Sequence, residues 1–415
     1  MKKKILSMLL SMVLTVACFT GCGSNPSSGG ETGGAASTET PKNPEDMYTV
    51  TMAVIGNDQE DMDLVEAEMN KILAEKVGAQ IDVITLGWGV YQQQLQLMLS
   101  GAEKLDLVPI MYNNVSTYVN SGQVLDMSDL IDQYGVNMKA ALGEDILKIA
   151  NMNGYVYGVP VEKEWYADSC LVMRKDILDK YNLDVSNVKS LADCAPIFET
   201  IHENEPDMKI IVGAKDGLIG NIYFADVLSD RFGVLDNGGA DTTIVNYYET
   251  DNYKNLAATV HDYYEKGYID KDMATSTDAG TTILKAGNAF CFATPYKPGV
   301  AEQESLNTGY ELVAVRINPT PAFCYTNAVA AITWGIGQNC ENPEMTMKVL
   351  DYMYGDPELM NLFNWGIEGV HYVIKDAEND VIGFPDGVDA SNAKYNLNMG
   401  WELPNQYKIH VWEGS

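Results

Sequence analysis

From Tyr48 onward, β-branched apolar runs alternate with segments of helical periodicity, and that alternation restricts the chain to folds built on parallel strands. Residues 49–55 read as a strand ending at Gly56-Asn57-Asp58. Residues 61–77 then place Leu64, Val65, Met69, Ile72 and Leu73 at helical spacing, with Gly78 as a C-terminal stop. A strand over 81–86, a helix over 90–99 stopped by Gly101 and a strand over 105–110 follow. Consecutive βαβαβ units need right-handed crossovers in one sheet, so the fold class is α/β. Ligands of such sheets gather at the carboxyl ends of the strands. Here those ends are Asn57-Asp58, Gly87-Trp88 and Met111-Tyr112-Asn113.

A second α/β set begins after the extended segment Tyr155-Val156-Tyr157-Gly158-Val159-Pro160. It reads as a strand over 169–173, helices over 176–181 and 191–202, a strand over 210–213, an amphipathic helix over 253–266 stopped by Gly267, and a strand over 289–293. Pro196 interrupts the second of these helices. A body of roughly 370 residues exceeds what one core usually holds, so two lobes are expected.

The N-terminus reads as an export signal. Lys2, Lys3 and Lys4 precede an apolar run over 5–17, and Phe19-Thr20-Gly21-Cys22 follows. Small residues before a cysteine resemble the bacterial lipobox, which predicts a signal peptide over 1–21 and lipid modification of Cys22. An ordinary signal cut near Ala17, or an uncleaved anchor, is the alternative. The following stretch to residue 45 is rich in Gly, Ser, Thr and Pro and reads as a flexible tether. Two acyl chains anchor stably where one does not, so the expectation is a lipid-anchored, outward-facing protein of the cell membrane.

A formal charge of −31 makes nucleic acid and anionic lipid poor partners for the surface as a whole. Cys170, Cys194, Cys291, Cys324 and Cys340 form no Cys-x-x-Cys, and His202, His261, His371 and His410 are scattered, so neither a metal nor another cofactor is expected. Gly-x-Ser-x-Gly, His-Glu-x-x-His and phosphate-loop motifs are missing. Gly335-Ile336-Gly337-Gln338 begins like a dinucleotide fingerprint but carries Cys340 where its third glycine belongs. Asp376-Ala377-Glu378-Asn379-Asp380 lacks the glycine and the glutamate of a calcium loop and reads as a polar turn between strands.

Several segments in order carry a likeness to a known family. These are Trp88-Gly89-Val90-Tyr91 with Leu97-Met98-Leu99-Ser100-Gly101 and Leu105-Asp106-Leu107; Gly158-Val159-Pro160; the run from Met173 to Tyr181; the run from Tyr264 to Asp270; and the run from Asn364 to Tyr372. Over residues 48–412 the chain resembles the extracellular solute-binding lipoproteins of carbohydrate ABC importers (family 1), in particular the LipO-type branch. The resemblance implies a two-lobed periplasmic-binding-protein-like fold of type II with the ligand cleft between the lobes. It implies an N-terminal lobe of 46–160 plus approximately 295–340, and a C-terminal lobe of 161–294 plus approximately 341–415. Similar proteins continue with further helices, so a truncated C-terminal lobe is expected.

Aromatic and carboxylate side chains are the candidate ligand contacts. A pyranose ring has an apolar C–H face and a rim of hydroxyls, which suits a flat aromatic surface beside carboxylates and amides. Asn57, Trp88, Tyr112, Trp165, Tyr296 and Trp334 fall at segment ends or in loops, and the resemblance places Trp365, in Asn364-Trp365-Gly366, at the cleft. Glu162 and Glu164 lie just past the extended segment. Two residues apart on a strand they share a face and could accept hydroxyl hydrogen bonds, or flank a glycosidic bond as acid and base. The reading is a monomeric receptor that captures an oligosaccharide or related glycan fragment and delivers it to ABC permease subunits. A receptor for peptides or other polar solutes, a surface glycan hydrolase or lyase, and a sensor partner are the alternatives.

Overall fold

Residues 46–414 are described in a computed structural model, apart from 102, 167, 216, 219–221, 223–224, 229–231, 237–240, 319–323 and 325–327. The signal segment, Cys22 and the tether lie outside the described residues. No described helix is long and apolar enough to cross a membrane.

The first sheet has five strands in the order Ala79–Leu86, Tyr48–Ile55, Leu107–Met111, Ile332–Ile336 and Val159–Pro160. The first three are parallel, as the βαβαβ pattern requires, and the last two run antiparallel to their neighbours. Both faces are covered, which explains the continuous apolar runs of these strands. Val50, Met52 and Val54 face one core with Val65, Met69 and Leu73 of helix Met62–Lys76. Ala53 faces the other, with Leu95 and Leu99 of helix Tyr91–Ser100.

A second sheet runs in the order Leu312–Ile317, Asp168–Arg174, Ala289–Tyr296 and Lys209–Ile211. It is mixed: Lys209–Ile211 is parallel to Ala289–Tyr296 and the other pairs are antiparallel. Its alternation is the same. Leu171 and Met173 join a core with Phe198, Tyr263 and Phe290, and Cys170 and Val172 join the opposite one with Leu284 and Phe292. Pro196 does not break the helix there. It sits in the first turn of helix Ala195–Asn204, where its missing N–H costs nothing.

The pairing and the cores divide the chain differently from the boundaries expected above. Strand Leu312–Ile317 pairs with Asp168–Arg174 in the second sheet, whereas only Ile332–Ile336 returns to the first. Helices Pro343–Gly355 and Pro357–Trp365, with Tyr395, Leu397, Met399 and Leu403, bury their apolar sides in the core of the first sheet, not the second. Helical periodicity reveals which stripe is apolar but carries no information about which sheet receives it. In chain order, Val159–Pro160 of the first sheet is followed by Asp168–Arg174 of the second, and Leu312–Ile317 of the second by Ile332–Ile336 of the first.

Gly335 is a packing glycine. A Cβ there would stand 2.4 Å from Ile110 Cδ1 and 2.9 Å from the Tyr157 carbonyl. The Gly-x-Gly pattern thus permits close strand contact. The 376–380 segment joins the antiparallel strands Val373–Asp376 and Val381–Gly383, and the Asp376 carboxylate accepts from the backbone of Glu378 and Asn379. It is the polar turn expected from its sequence.

Candidate functional site

A cavity of about 590 Å³ lies where the two sheets face each other, within the range of small-molecule sites. The carboxyl ends of the three parallel strands supply its first wall. Strand Tyr48–Ile55 leads into Gly56 and Asn57, strand Ala79–Leu86 into Trp88, and strand Leu107–Met111 ends at Met111 itself. The crossing segment contributes Lys163, Glu164 and Tyr166. Opposite stand Thr277 and Thr281, Phe292 to Pro295, Lys297, and Gln303, Glu304 and Asn307 of helix Val300–Thr308. A C-terminal strap closes one side with Leu397, Met399 and Trp401.

Trp88 is 37% exposed and stacks on Trp401, with ring centroids 5.5 Å apart and planes at 26°. Tyr91 supports Trp88 edge-on at 5.8 Å. The strap that carries Trp401 is held from below. Glu402 Oε1 accepts from the Ile55 N–H at 2.8 Å, the Trp334 Nε1–H donates to the Glu402 carbonyl at 2.8 Å, and Asn364 Oδ1 accepts from the Met399 N–H at 2.8 Å. The paired indoles are consequently a preorganised apolar platform on the first lobe.

The polar side is charged. Lys297 Nζ lies 3.2 Å from Glu164 Oε1. Glu304 Oε2 accepts from Thr281 Oγ1 at 3.3 Å and from Asn307 Nδ2 at 3.4 Å, and burial raises the pKa of its carboxyl. The lobes touch beside the cavity. Gln303 and Asn398 exchange side-chain-to-carbonyl hydrogen bonds at 3.3 and 3.4 Å, and a Cβ at Gly89 would fall 2.0 Å from the Thr277 carbonyl oxygen.

Of the residues expected from sequence, Asn57, Trp88 and Glu164 line the cavity. Glu162 does not. A bend at Lys163 breaks the strand alternation, and Glu162 instead pairs with the strap: its N–H donates to the Pro404 carbonyl and its own carbonyl accepts from the Gln406 N–H. The carboxylate pair required for acid–base work by Glu162 and Glu164 is therefore split. Tyr112 follows Met111 in a short 3₁₀ turn and is absent from the lining. Trp165 packs half-buried against the first core, donating to the Val161 carbonyl. Tyr296 lies beneath the Arg316 guanidinium, 4.9 Å from its ring centroid, rather than in the lining. Trp334 is fully buried, and Trp365, 4% exposed, packs at a tilt against Trp412 and donates to the His410 carbonyl. Both are core residues because their indole N–H groups find internal acceptors.

Trp401, Lys297, Glu304 and Asn307 were not anticipated. Trp401 alone had a visible signal, since it sits between Gly400 and Pro404, outside any periodic run. Among the described residues no cluster of His, Cys, Asp and Glu could hold a metal ion.

Known proteins share this fold. The chain is 28% identical over 371 residues to a carbohydrate ABC transporter substrate-binding protein of Streptococcus pneumoniae serotype 4, covering 89% of this chain and 73% of the relative. Its fold is similar to crystal structures of the N-glycan transport solute binding protein NgtS of Streptococcus pneumoniae in complex with Man5GlcNAc and with Man1GlcNAc. Each has a TM-score of 0.75 at 26% identity and covers 88% of this chain and 79% of that one. An alginate-binding protein at 17% identity, with a TM-score of 0.58 over 91% of this chain and 79% of that one, shares the fold. The two-lobed architecture is that of type II solute-binding proteins. With residues 56–359 matching the family described as bacterial extracellular solute-binding protein, this chain belongs to that family.

Proposed function

We propose that this protein is a lipid-anchored, outward-facing receptor that captures an oligosaccharide between its lobes and delivers it to the permease subunits of an ABC importer. The observation that carries the ligand class is the Trp88–Trp401 pair, a wide aromatic platform facing carboxylate, ammonium, amide and hydroxyl groups across one cavity. Sugars need that combination, an apolar ring face and a polar rim, in one place. Family membership and the glycan-binding names of the similar proteins support the same reading.

Lobe closure supplies the mechanism. A ligand that touches both walls favours the closed arrangement in proportion to its extra contacts there, and one that touches a single wall equally in both states shifts nothing. The Gln303–Asn398 contacts and the Gly89–Thr277 approach are interactions that such closure makes.

Isothermal titration of the purified protein against Man5GlcNAc, other oligosaccharides and oligopeptides tests this. One-to-one binding of a saccharide, recovered intact, is the expected result. Binding confined to peptides, or release of shortened sugar, overturns it. Radiolabelled palmitate tests the anchor: incorporation that disappears in Cys22→Ser is expected, and equal release of both forms into the medium refutes it.

A further inference from the structure

We infer that the saccharide held in this cleft carries an acidic substituent, and that Lys163 and Lys297 are the residues that select it; the inference rests on the oligosaccharide reading above. The chain has 58 acidic residues against 27 lysines and arginines. A cavity lined at random would therefore be acidic. Among the described lining residues the charged ones are Lys163, Glu164, Lys297 and Glu304, so the site is enriched in cations relative to the chain.

The two lining lysines differ in their pairing. Glu164 is paired with Lys297 at 3.2 Å. Glu304 is turned toward Thr281 and Asn307; burial raises the pKa of its carboxyl, while those two hydrogen bonds and the charge of Lys297 pull it the other way. Lys163 makes no ion pair with any described residue. Burial lowers its pKa, Glu164 partly opposes that, and the charge of Lys297 adds to the lowering. An ammonium held out of water beside a second ammonium gains most from an incoming anion.

The geometry also suits a sugar acid. Lys163 and Glu164 are adjacent on the crossing segment, whereas Lys297 follows the strand Ala289–Tyr296 of the second lobe. An anionic group between them would touch the crossing segment and the second lobe together, while the sugar ring rests on the Trp88–Trp401 platform of the first. Each of these contacts rewards closure. The recognised chemistry is a carboxylate or a phosphate on the saccharide, both of which accept charge-assisted hydrogen bonds from lysine.

Calorimetric titration of the purified protein with three length-matched oligosaccharides distinguishes the possibilities: one neutral, one with a terminal uronic acid and one with a 6-phosphate. The expected result is that an acidic sugar binds at least roughly tenfold more tightly than the neutral one. Lys163→Gln should weaken the acidic ligand by roughly 30-fold or more and the neutral one little, with unchanged melting temperature. Glu164→Gln should strengthen the acidic ligand by freeing Lys297. The preferred arm identifies carboxylate or phosphate. Neutral sugar bound as tightly as both acids, with Lys163→Gln affecting all three alike, overturns the inference and leaves the oligosaccharide receptor standing. Failure of all three sugars in a protein that binds peptide overturns both.

Discussion

Trp88 and Trp401 stack at 5.5 Å although one follows the second strand of the first sheet and the other lies near the end of the chain. The platform exists only once both ends of the first lobe have folded together. Trp88 remains 37% exposed within the pair. Trp88→Ala or Trp401→Ala should each weaken saccharide binding by about 1 to 3 kcal/mol. Because each ring positions its neighbour, the double variant should lose less than the sum of the two. Calorimetric titration of the four proteins measures this, and strict additivity would mean that the rings act separately.

Gly89 gives a test of closure that leaves the lining intact. Its Cβ position meets a backbone carbonyl oxygen of the opposite lobe at 2.0 Å, a contact no flexible side chain can relieve. Gly89→Ala should therefore disfavour the closed arrangement. Saccharide affinity should fall by roughly tenfold or more, each factor of ten being about 1.4 kcal/mol of closure energy. Thermal stability without ligand should hold, because open lobes do not feel the clash. Unchanged affinity would place the Gly89–Thr277 contact outside the ligand-bound state.

The buried tryptophans predict the opposite pattern. Trp334 lies in the first core with its Nε1–H bonded to the Glu402 carbonyl, and Trp365 packs on Trp412. Trp334→Phe should lower stability by about 1 to 3 kcal/mol, since it both opens space and leaves a buried carbonyl without its donor. Chemical denaturation reads this directly. A variant that kept its stability and lost only saccharide binding would return Trp334 to the site.

How far the sequence could be read follows from these same residues. The parallel half of the first sheet was legible because strand and helix periods alternate cleanly from Tyr48 to Met111, and Asn57 and Trp88, at the carboxyl ends of its strands, line the cavity. The assignment of the C-terminal helices was not legible, because an apolar stripe on Pro343–Gly355 fits either core. Trp334 and Trp365 resembled ligand platforms for a related reason. A tryptophan at a segment end has the same local sequence whether its indole N–H meets a carbonyl of the core or a sugar. Glu304 and Lys297 were invisible since ordinary charged residues declare a role only when folding aims them into one cavity.

Glu402 joins stability to pH. It is fully buried one residue after Trp401, and burial pushes its pKa up to about 8, with the Ile55 N–H hydrogen bond pulling weakly the other way. Its unfolded value is the ordinary 4.5. Between these two values the folded protein holds a proton that the unfolded chain has released, so stability is fully present below about 4.5 and declines as pH rises through about 8. Other buried acids with raised values, such as Glu304, slope the same way, so the difference between wild type and Glu402→Gln isolates this group. Glu402→Gln keeps an oxygen for the Ile55 N–H and cannot ionise. Its melting temperature should match wild type near pH 4.5 and exceed it increasingly toward pH 8, by an amount on the order of a few kcal/mol in stability. Ionised Glu402 would strain the strap that carries Trp401, so wild-type saccharide affinity should fall above pH 8 while the variant's stays level. Parallel stability curves for the two proteins would show that Glu402 is charged in the fold throughout.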